Sequence, residues 1–302
     1  MGRRNVVPSL RPEVSIRREH QMYLHSPSGQ AQRNSPAPVF WRDPALPFVE
    51  SRRACHSRAC YRPHHHPTFS IGAVDCGTSV FTGAADGPIA LHAGTLVFVP
   101  ATRVHACNPT PGTAWSYQML HLDTAWLAAI RQEYAGTAPT KTESIRIVTD
   151  RASHLRFCRL NALLFSHAPP HDKEAALIEF IGDCDAEQGM RVEIPCVPSH
   201  LAEQIRPALD CLLATPSTHI ALHELAYLTS MSRYQVIRAF RTVTGMTPHA
   251  WQMNQRVNLA RERIREGDGF SDVAYHLGFS DQAHFQRVFK AHVGTTPGRF
   301  RG

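Results

Sequence analysis

The stretch "CYRPHHHPTFSIGAVDCG" places His64 and His66 two positions apart. On an extended strand alternate side chains share a face, so both imidazoles are expected to point the same way. His105, in "GTLVFVPATRVHACNP", follows Gly94 and Pro100 and supplies a third ring. Three imidazoles converging on an interior suit a divalent ion such as zinc, iron or nickel. They also suit a small organic molecule held by hydrogen bonds, with Tyr61, Trp115 and Tyr117 as further lining. The third reading is that they are buried histidines with internal partners.

A second chemistry is written twice near the end of the chain. Arg238, Phe240, Gly245 and Pro248 in "MSRYQVIRAFRTVTGMTP" recur as Arg287, Phe289, Gly294 and Pro297 in "GFSDQAHFQRVFKAHVGTTP", each 49 positions later. In the first copy "LHELAYLTS" reads as a short helix, Ser232 as the N-cap of the next, and Val236, Ala239, Phe240 and Val243 as its inward stripe. Tyr234, Arg238 and Arg241 form another stripe, Gly245 stops the helix and Pro248 starts the following one. A short helix, a tight turn and a helix with one apolar and one arginine-bearing face describe a helix-turn-helix. In the second copy Phe285, Val288 and Phe289 point inward, while Ala283, Arg287 and Lys290 fall on the outer stripe, flanked by Gln282, His284 and Gln286. Arginine pairs with guanine and glutamine with adenine through bidentate hydrogen bonds, each contributing about 1–3 kcal/mol of discrimination. The candidate DNA-contacting set is therefore Ser232, Arg233, Tyr234, Gln235, Arg238, Arg241, Gln282, His284, Gln286, Arg287 and Lys290.

The helix between the copies, about 248–265, spans roughly 27 Å at 1.5 Å per residue. With the flanking units added, the two outer faces are expected about 34 Å apart, one turn of B-DNA. The net charge of +7 permits a polyanionic partner. Between 232 and 265 seven arginines (233, 238, 241, 256, 261, 263 and 265) face Glu262 alone, so the basic excess is expected to concentrate there.

The elements that must position these residues change character along the chain. Residues 1–38 are polar and rich in Arg, Ser and Pro, and read as a flexible arm. Met22 inside it is an alternative start. From residue 39 to about 145 short apolar runs ("FSIGAVDCG", "TSVFTG", "TLVFVP", "WSYQMLHL") alternate with turn residues, the texture of a small barrel or sandwich. Residues 151–187 turn helical, with Leu155, Cys158, Ala162 and Phe165 as one expected stripe and "HAPPH" as the turn of a helical hairpin. The 39–187 segment is expected to form an effector-binding and dimerisation domain, 188–200 a linker, and 201–302 a helical DNA-binding domain. The eight cysteines have no C-x-x-C spacing and are expected to be mostly buried small apolar residues. No run approaches a membrane span and the start lacks the apolar core of a secretory signal, so a cytoplasmic protein is expected.

Residues 218–302 resemble the AraC/XylS-type DNA-binding domain of bacterial transcription regulators, carried by "LHELAYLTSMSRYQVIRAFRTVTGMTPHAW", "QMNQRVNLARERI" and above all "SDVAYHLGFSDQAHFQRVFKAHVGTTPGRFR". The resemblance implies seven helices with two helix-turn-helix units, and Tyr234, Arg238, Gln282, His284 and Arg287 as base readers. Ala283 stands where a small polar residue is common, so no base contact is expected there. The amino-terminal region resembles the cupin sensor barrel joined to such domains. The implied fold is α+β in two domains: a cupin-like β-barrel with a helical hairpin, then an all-α domain with two helix-turn-helix units. The implied function is a regulator of promoter DNA, an activator contacting RNA polymerase, switched by a small-molecule effector and acting as a homodimer, with no cofactor and no catalysis. Cupin metal sites usually add a glutamate after H-x-H, whereas "PTFSI" has no carboxylate, so no metal is expected. Two other classes compete: a metal-dependent cupin oxygenase fused to a DNA-binding domain, and a repair sensor in which Cys55 or Cys60 accepts an alkyl group.

Overall fold

The computed structural model describes residues 37–135, 143–186 and 189–302. The expected arm, residues 1–38, lies outside them except for its last two positions. The chain begins with β1 (Val39–Trp41), β2 (Val49–Ser57), β3 (Phe69–Cys76), β4 (Thr78–Thr82), β5 (Ile89–His92), β6 (Leu96–Val99), β7 (Ala106–Pro109) and β8 (Trp115–Leu122). Helix α1 (Thr124–Ala135), strand β9 (Ile145–Val148), helices α2 (Arg151–Leu164) and α3 (Pro170–Ala186) and strand β10 (Met190–Val192) follow. The remainder is helical: α4 (Ser199–Ala214), α5 (Leu222–Thr229), α6 (Arg233–Thr244), α7 (Pro248–Arg265), α8 (Phe270–His276), α9 (Gln282–Val293) and α10 (Pro297–Arg301).

The strands form a seven-stranded antiparallel sheet, in the order β1-β2-β8-β3-β6-β9-β10, and a three-stranded sheet, β5-β4-β7. Side-chain alternation divides the large sheet between two cores. Leu96 and Phe98 of β6, with Leu120 and Leu122 of β8, pack on the α2–α3 hairpin through Phe157, Leu160, Leu164, Leu177 and Phe180. Val97, Val99, Trp115 and Tyr117 face the other way, into the space shared with Phe81 and Leu91 of the small sheet. A sheet apolar on both faces must be covered twice, and the hairpin supplies the second cover. This is the cupin-like barrel with its helical hairpin.

Three expectations change here. The buried stripe of α2 is Ser153, Phe157, Leu160, Asn161 and Leu164, not Leu155, Cys158, Ala162 and Phe165; Leu155 is exposed. An apolar count misses this face because two of its members are polar, each with an internal partner. The Ser153 hydroxyl donates to the N-cap Asp150 at 2.7 Å and Asn161 Oδ1 accepts from the Ser51 hydroxyl at 3.0 Å. Residues 190–192 of the expected linker form β10, paired with β9. Among the cysteines only Cys184 is buried, while Cys55, Cys60, Cys76 and Cys196 are exposed. Those four occupy strand ends and loops, where burial of a small side chain is not enforced.

The carboxy-terminal domain has seven helices, α4 to α10, around two cores. Ile205, Leu212, Leu225, Val236 and Phe240 join α4, α5 and α6, closed by Trp251 at the start of α7. Met253, Val257, Ala260 and Ile264 further along α7 pack instead with Val273, Phe285, Phe289 and Phe300. One helix thus belongs to both cores and fixes the spacing between them. Among the described residues no helix is long and apolar enough to cross a membrane.

Candidate nucleic-acid interface and ligand cavity

The doubled sequence produces doubled local structure. Helix α6 ends at Gly245 with φ 77° and α9 at Gly294 with φ 80°, the left-handed cap that favours glycine. Two residues later Thr247 and Thr296 cap the next helices, their hydroxyls accepting from the Ala250 and Arg299 amides, with Pro248 and Pro297 at the first helical position. The phrase G-x-T-P is therefore a stop, a cap and a start. At the other end Ser232 and Gln235 form a capping box, and Asp281 caps α9 through the His284 amide at 2.6 Å.

Phe240, Phe285 and Phe289 are fully buried and Val236 with them. The opposite faces of α6 and α9 are open: Arg233, Tyr234, Gln235, Arg238, Arg241, Gln282, Gln286, Arg287 and Lys290 are all exposed. His284 is half-buried, edge-on to Phe279. Arg238 lies over the Tyr234 ring and donates to its hydroxyl at 3.4 Å. Some of the candidate groups already have partners. The Gln235 carbonyl accepts from the Ser232 amide and the Gln282 carbonyl from the Ser271 hydroxyl, each at 2.8 Å. In both, the NH2 group remains for a base.

The arginine-rich run divides, which corrects the expectation of one basic concentration. Arg256 and Arg261 are buried at 4% and 9% exposure. Arg256 donates to the carbonyls of Pro216, Gly278, Ser217 and Thr218 at 2.6–3.3 Å, tying the turn before α5 to the turn before α9. Arg261 and Arg265 reach into the barrel domain and pair with Glu50 of β2, which Arg42 also meets. Arg263 pairs with Asp268. Backbone carbonyls, Glu50 and Asp268 thus engage four of the seven, leaving Arg233, Arg238 and Arg241 for a polyanion. Burial alone would raise the Glu50 carboxyl, but the three guanidiniums outweigh it and hold the group well below the usual carboxylate range.

In the barrel, Tyr61, His64, His66, His105, Trp115 and Tyr117 line one small cavity of about 40 Å³. The H-x-H pair is not on a regular strand as expected. The prolines on either side interrupt the ladder, leaving one bridge, His64 to His105. The outcome for the side chains is nevertheless shared: His64, His66 and His105 bring ring nitrogens within 4.8 Å of one another. Burial depresses all three imidazoles, so they are neutral at neutral pH.

Their tautomers test the fit to a metal. His64 and His105 donate Nδ1–H to the Arg62 and Arg103 carbonyls at 2.7 and 2.9 Å, leaving Nε2 lone pairs free, as metal ligands do. His66 differs, because its Nδ1 faces the Arg261 guanidinium at 3.2 Å. An arginine only donates, so Nδ1 accepts and Nε2 carries the hydrogen. With one ring turned donor and no carboxylate present, the trio does not fit a cupin metal site. Cys55 and Cys60 belong to neither cluster of metal-ligating groups among the described residues.

Sequence reasoning missed Arg52, the one residue lining the cavity that carries a charge at neutral pH. Its signal was the alternation of β2: Ala54 packs in the core on the cavity side of the sheet, so Arg52, two residues earlier, faces the same way. The cavity wall also touches the helical domain. Arg52 donates to the Val293 carbonyl at 3.0 Å, and the Arg62 amide to the Ala291 carbonyl at 3.4 Å. Tyr61 lies against Gly294, where an added Cβ would sit 2.5 Å from the phenol oxygen. Gly245, the corresponding residue of the first unit, lies against Val104.

Comparison with known proteins agrees with this division. The family model of a helix-turn-helix domain matches residues 225–302, and that of an AraC-like ligand binding domain matches residues 47–179. Over 83 residues the chain is 34% identical to the probable transcription factor PqrA of Proteus vulgaris, covering 27% of this chain and 68% of PqrA. It is 25% identical over 256 residues to the HTH-type transcriptional activator RhaS of Klebsiella pneumoniae, covering 80% of this chain and 87% of RhaS. Among solved structures ToxT of Vibrio cholerae superposes with a TM-score of 0.52 at 9% identity, covering 84% of this chain and 98% of ToxT, a likeness of fold.

Proposed function

The chain belongs to the AraC/XylS family of DNA-binding transcription regulators with a ligand-binding domain, and from that premise we propose that it activates transcription when a small molecule occupies the barrel cavity. The observation that carries the reading is the pair of helices α6 and α9, each with a buried apolar stripe and an open face of Arg, Gln and Lys. Each places its amino-terminal residues toward a major groove, with Arg238 and Arg287 reading bases and Arg241 and Lys290 near the backbone. Tyr61, His64, His66, His105, Trp115 and Tyr117 hold the effector. No reaction is assigned, and RNA polymerase is the partner at the promoter in the cytoplasm.

The α2–α3 hairpin spends its apolar face on the barrel. Homodimerisation therefore uses its outer face, around Leu155. Effector binding shifts the balance between two arrangements of the domains, which requires a different affinity for each.

Nuclease protection on a promoter fragment selected from genomic DNA tests the reading. Two protected patches one helical turn apart per protomer support it. Protection of a single groove, or none, overturns it.

A further inference from the structure

Two donors in the cavity wall have nothing to donate to. Arg52 Nε and Trp115 Nε1 are both fully buried and make no hydrogen bond. Both residues line the same cavity. Neither group can accept, so the missing partner is an acceptor. Tyr61 and Tyr117 add a third donor: their hydroxyls meet at 2.5 Å, one hydrogen serves that contact, and the other is spare.

Charge points the same way. Around the interface between barrel and helical domain, Arg42, Arg261 and Arg265 share the single carboxylate of Glu50, and no ion pair is made by Arg52 among the described residues. The Arg52 guanidinium rests on the Tyr61 and Tyr117 rings, at 5.6 and 5.2 Å, and on one backbone carbonyl. Glu50, two positions earlier on β2, acts on Arg52 only through space; a half-buried cation with no ion pair is a costly arrangement, and the neutral cavity histidines do not relieve it. Apolar walls from Val74, Leu91, Val97 and Val99 leave room for a short hydrocarbon body.

We propose that the effector is a small organic carboxylate, its oxygens taken by Arg52 and Trp115 and its body held against the valine and leucine wall. The assignment rests on the reading of the cavity as the effector site, and names the ligand class for it. Because Arg52 also holds the Val293 carbonyl at the end of α9, a carboxylate that draws the guanidinium inward competes with that contact. Occupancy of the barrel is thereby communicated to the second reading helix.

The test follows the indole N–H resonance of Trp115 in the full chain, assigned by Trp115→Phe, during titration with acetate or propionate. The matched neutral amides, acetamide and propionamide, are titrated at the same ionic strength. A saturable shift with the acids at least about tenfold tighter than with the amides, equivalent to about 1.4 kcal/mol, is expected. Arg52→Gln should abolish that preference and Arg52→Lys retain part of it. Equal affinity for acids and amides, or an acid preference that survives Arg52→Gln, overturns the carboxylate assignment while leaving the cavity as a ligand site. If neither acid nor amide moves the resonance, both the assignment and the cavity reading fail. The acid–amide comparison needs only the unmodified protein, so it decides even if Arg52→Gln does not fold.

Discussion

Replacing Glu50 by glutamine keeps the shape of the side chain and removes one charge from the interface between barrel and helical domain. Glu50 is 6% exposed and accepts from Arg42 at 2.6 Å and Arg261 at 3.0 Å, and from Arg265. Arg42 and Arg265 keep 26% and 38% of their side-chain surface, so solvent screens them and each contributes about 0–1 kcal/mol. Arg261 keeps 10%. Breaking a pair buried to that degree leaves an uncompensated cation and costs about 3–5 kcal/mol. The expected loss at pH 7 is therefore about 4 kcal/mol, read from urea unfolding followed by tryptophan fluorescence and circular dichroism together, since two domains need not unfold in one step. The pH dependence has a definite sign. A carboxyl whose folded value lies below its ordinary 4.5 contributes fully above about 4.5, and the contribution fades as pH falls toward the folded value. The gap between native and Glu50→Gln proteins should be constant from pH 7 to about 4.5 and close only below it. A loss under about 1 kcal/mol at pH 7, the level of a surface pair, would refute the claim that this cluster binds the two domains together.

Further outcomes follow from the same reasoning. Arg238→Ala or Arg287→Ala should cost about 1–3 kcal/mol at one base position, measured by gel shift against singly substituted operators; a uniform loss would recast them as phosphate contacts. Arg241→Ala should lower the log–log salt slope of binding by about 1, whereas Arg261→Ala should leave it unchanged, because Arg261 faces the barrel. Arg256→Met removes four carbonyl contacts and should destabilise the helical domain by about 3 kcal/mol in thermal melts, an effect absent from Arg238→Ala. Gly294→Ala should cost more than Gly245→Ala, since both take left-handed backbone but Tyr61 oxygen stands 2.5 Å from the new methyl and the Val104 methyl 3.2 Å; the reverse order in urea midpoints would count against the packing described.

The helical domain was legible because its signals are local. Each G-x-T-P carries its own stop, cap and start, and the phenylalanine stripes repeat on one period. What stayed hidden depends on residues distant in the chain. Nothing near Arg261 announces Glu50, 211 positions away, so a structural arginine reads as part of a basic concentration. The outer stripe of α2 looked apolar enough to be buried, and only the partners of Ser153 and Asn161 reveal that the neighbouring face is. The six cavity residues picked from the sequence meet in space, although the H-x-H pair lies off any regular strand. Arg52 escaped notice because arginine on an inward position reads as a surface residue until its sheet is known.

Gly245 and Gly294 give the barrel a handhold on each reading helix at the matching place, the carboxyl end. A rod of 12 residues is about 18 Å long, so a small displacement where it is held is carried along its whole length to its amino-terminal end. The helix pattern is written twice in the chain, and the barrel touches the same joint of both copies. On the function proposed above, rocking of the barrel would steer the pair in concert, with no separate wire to each.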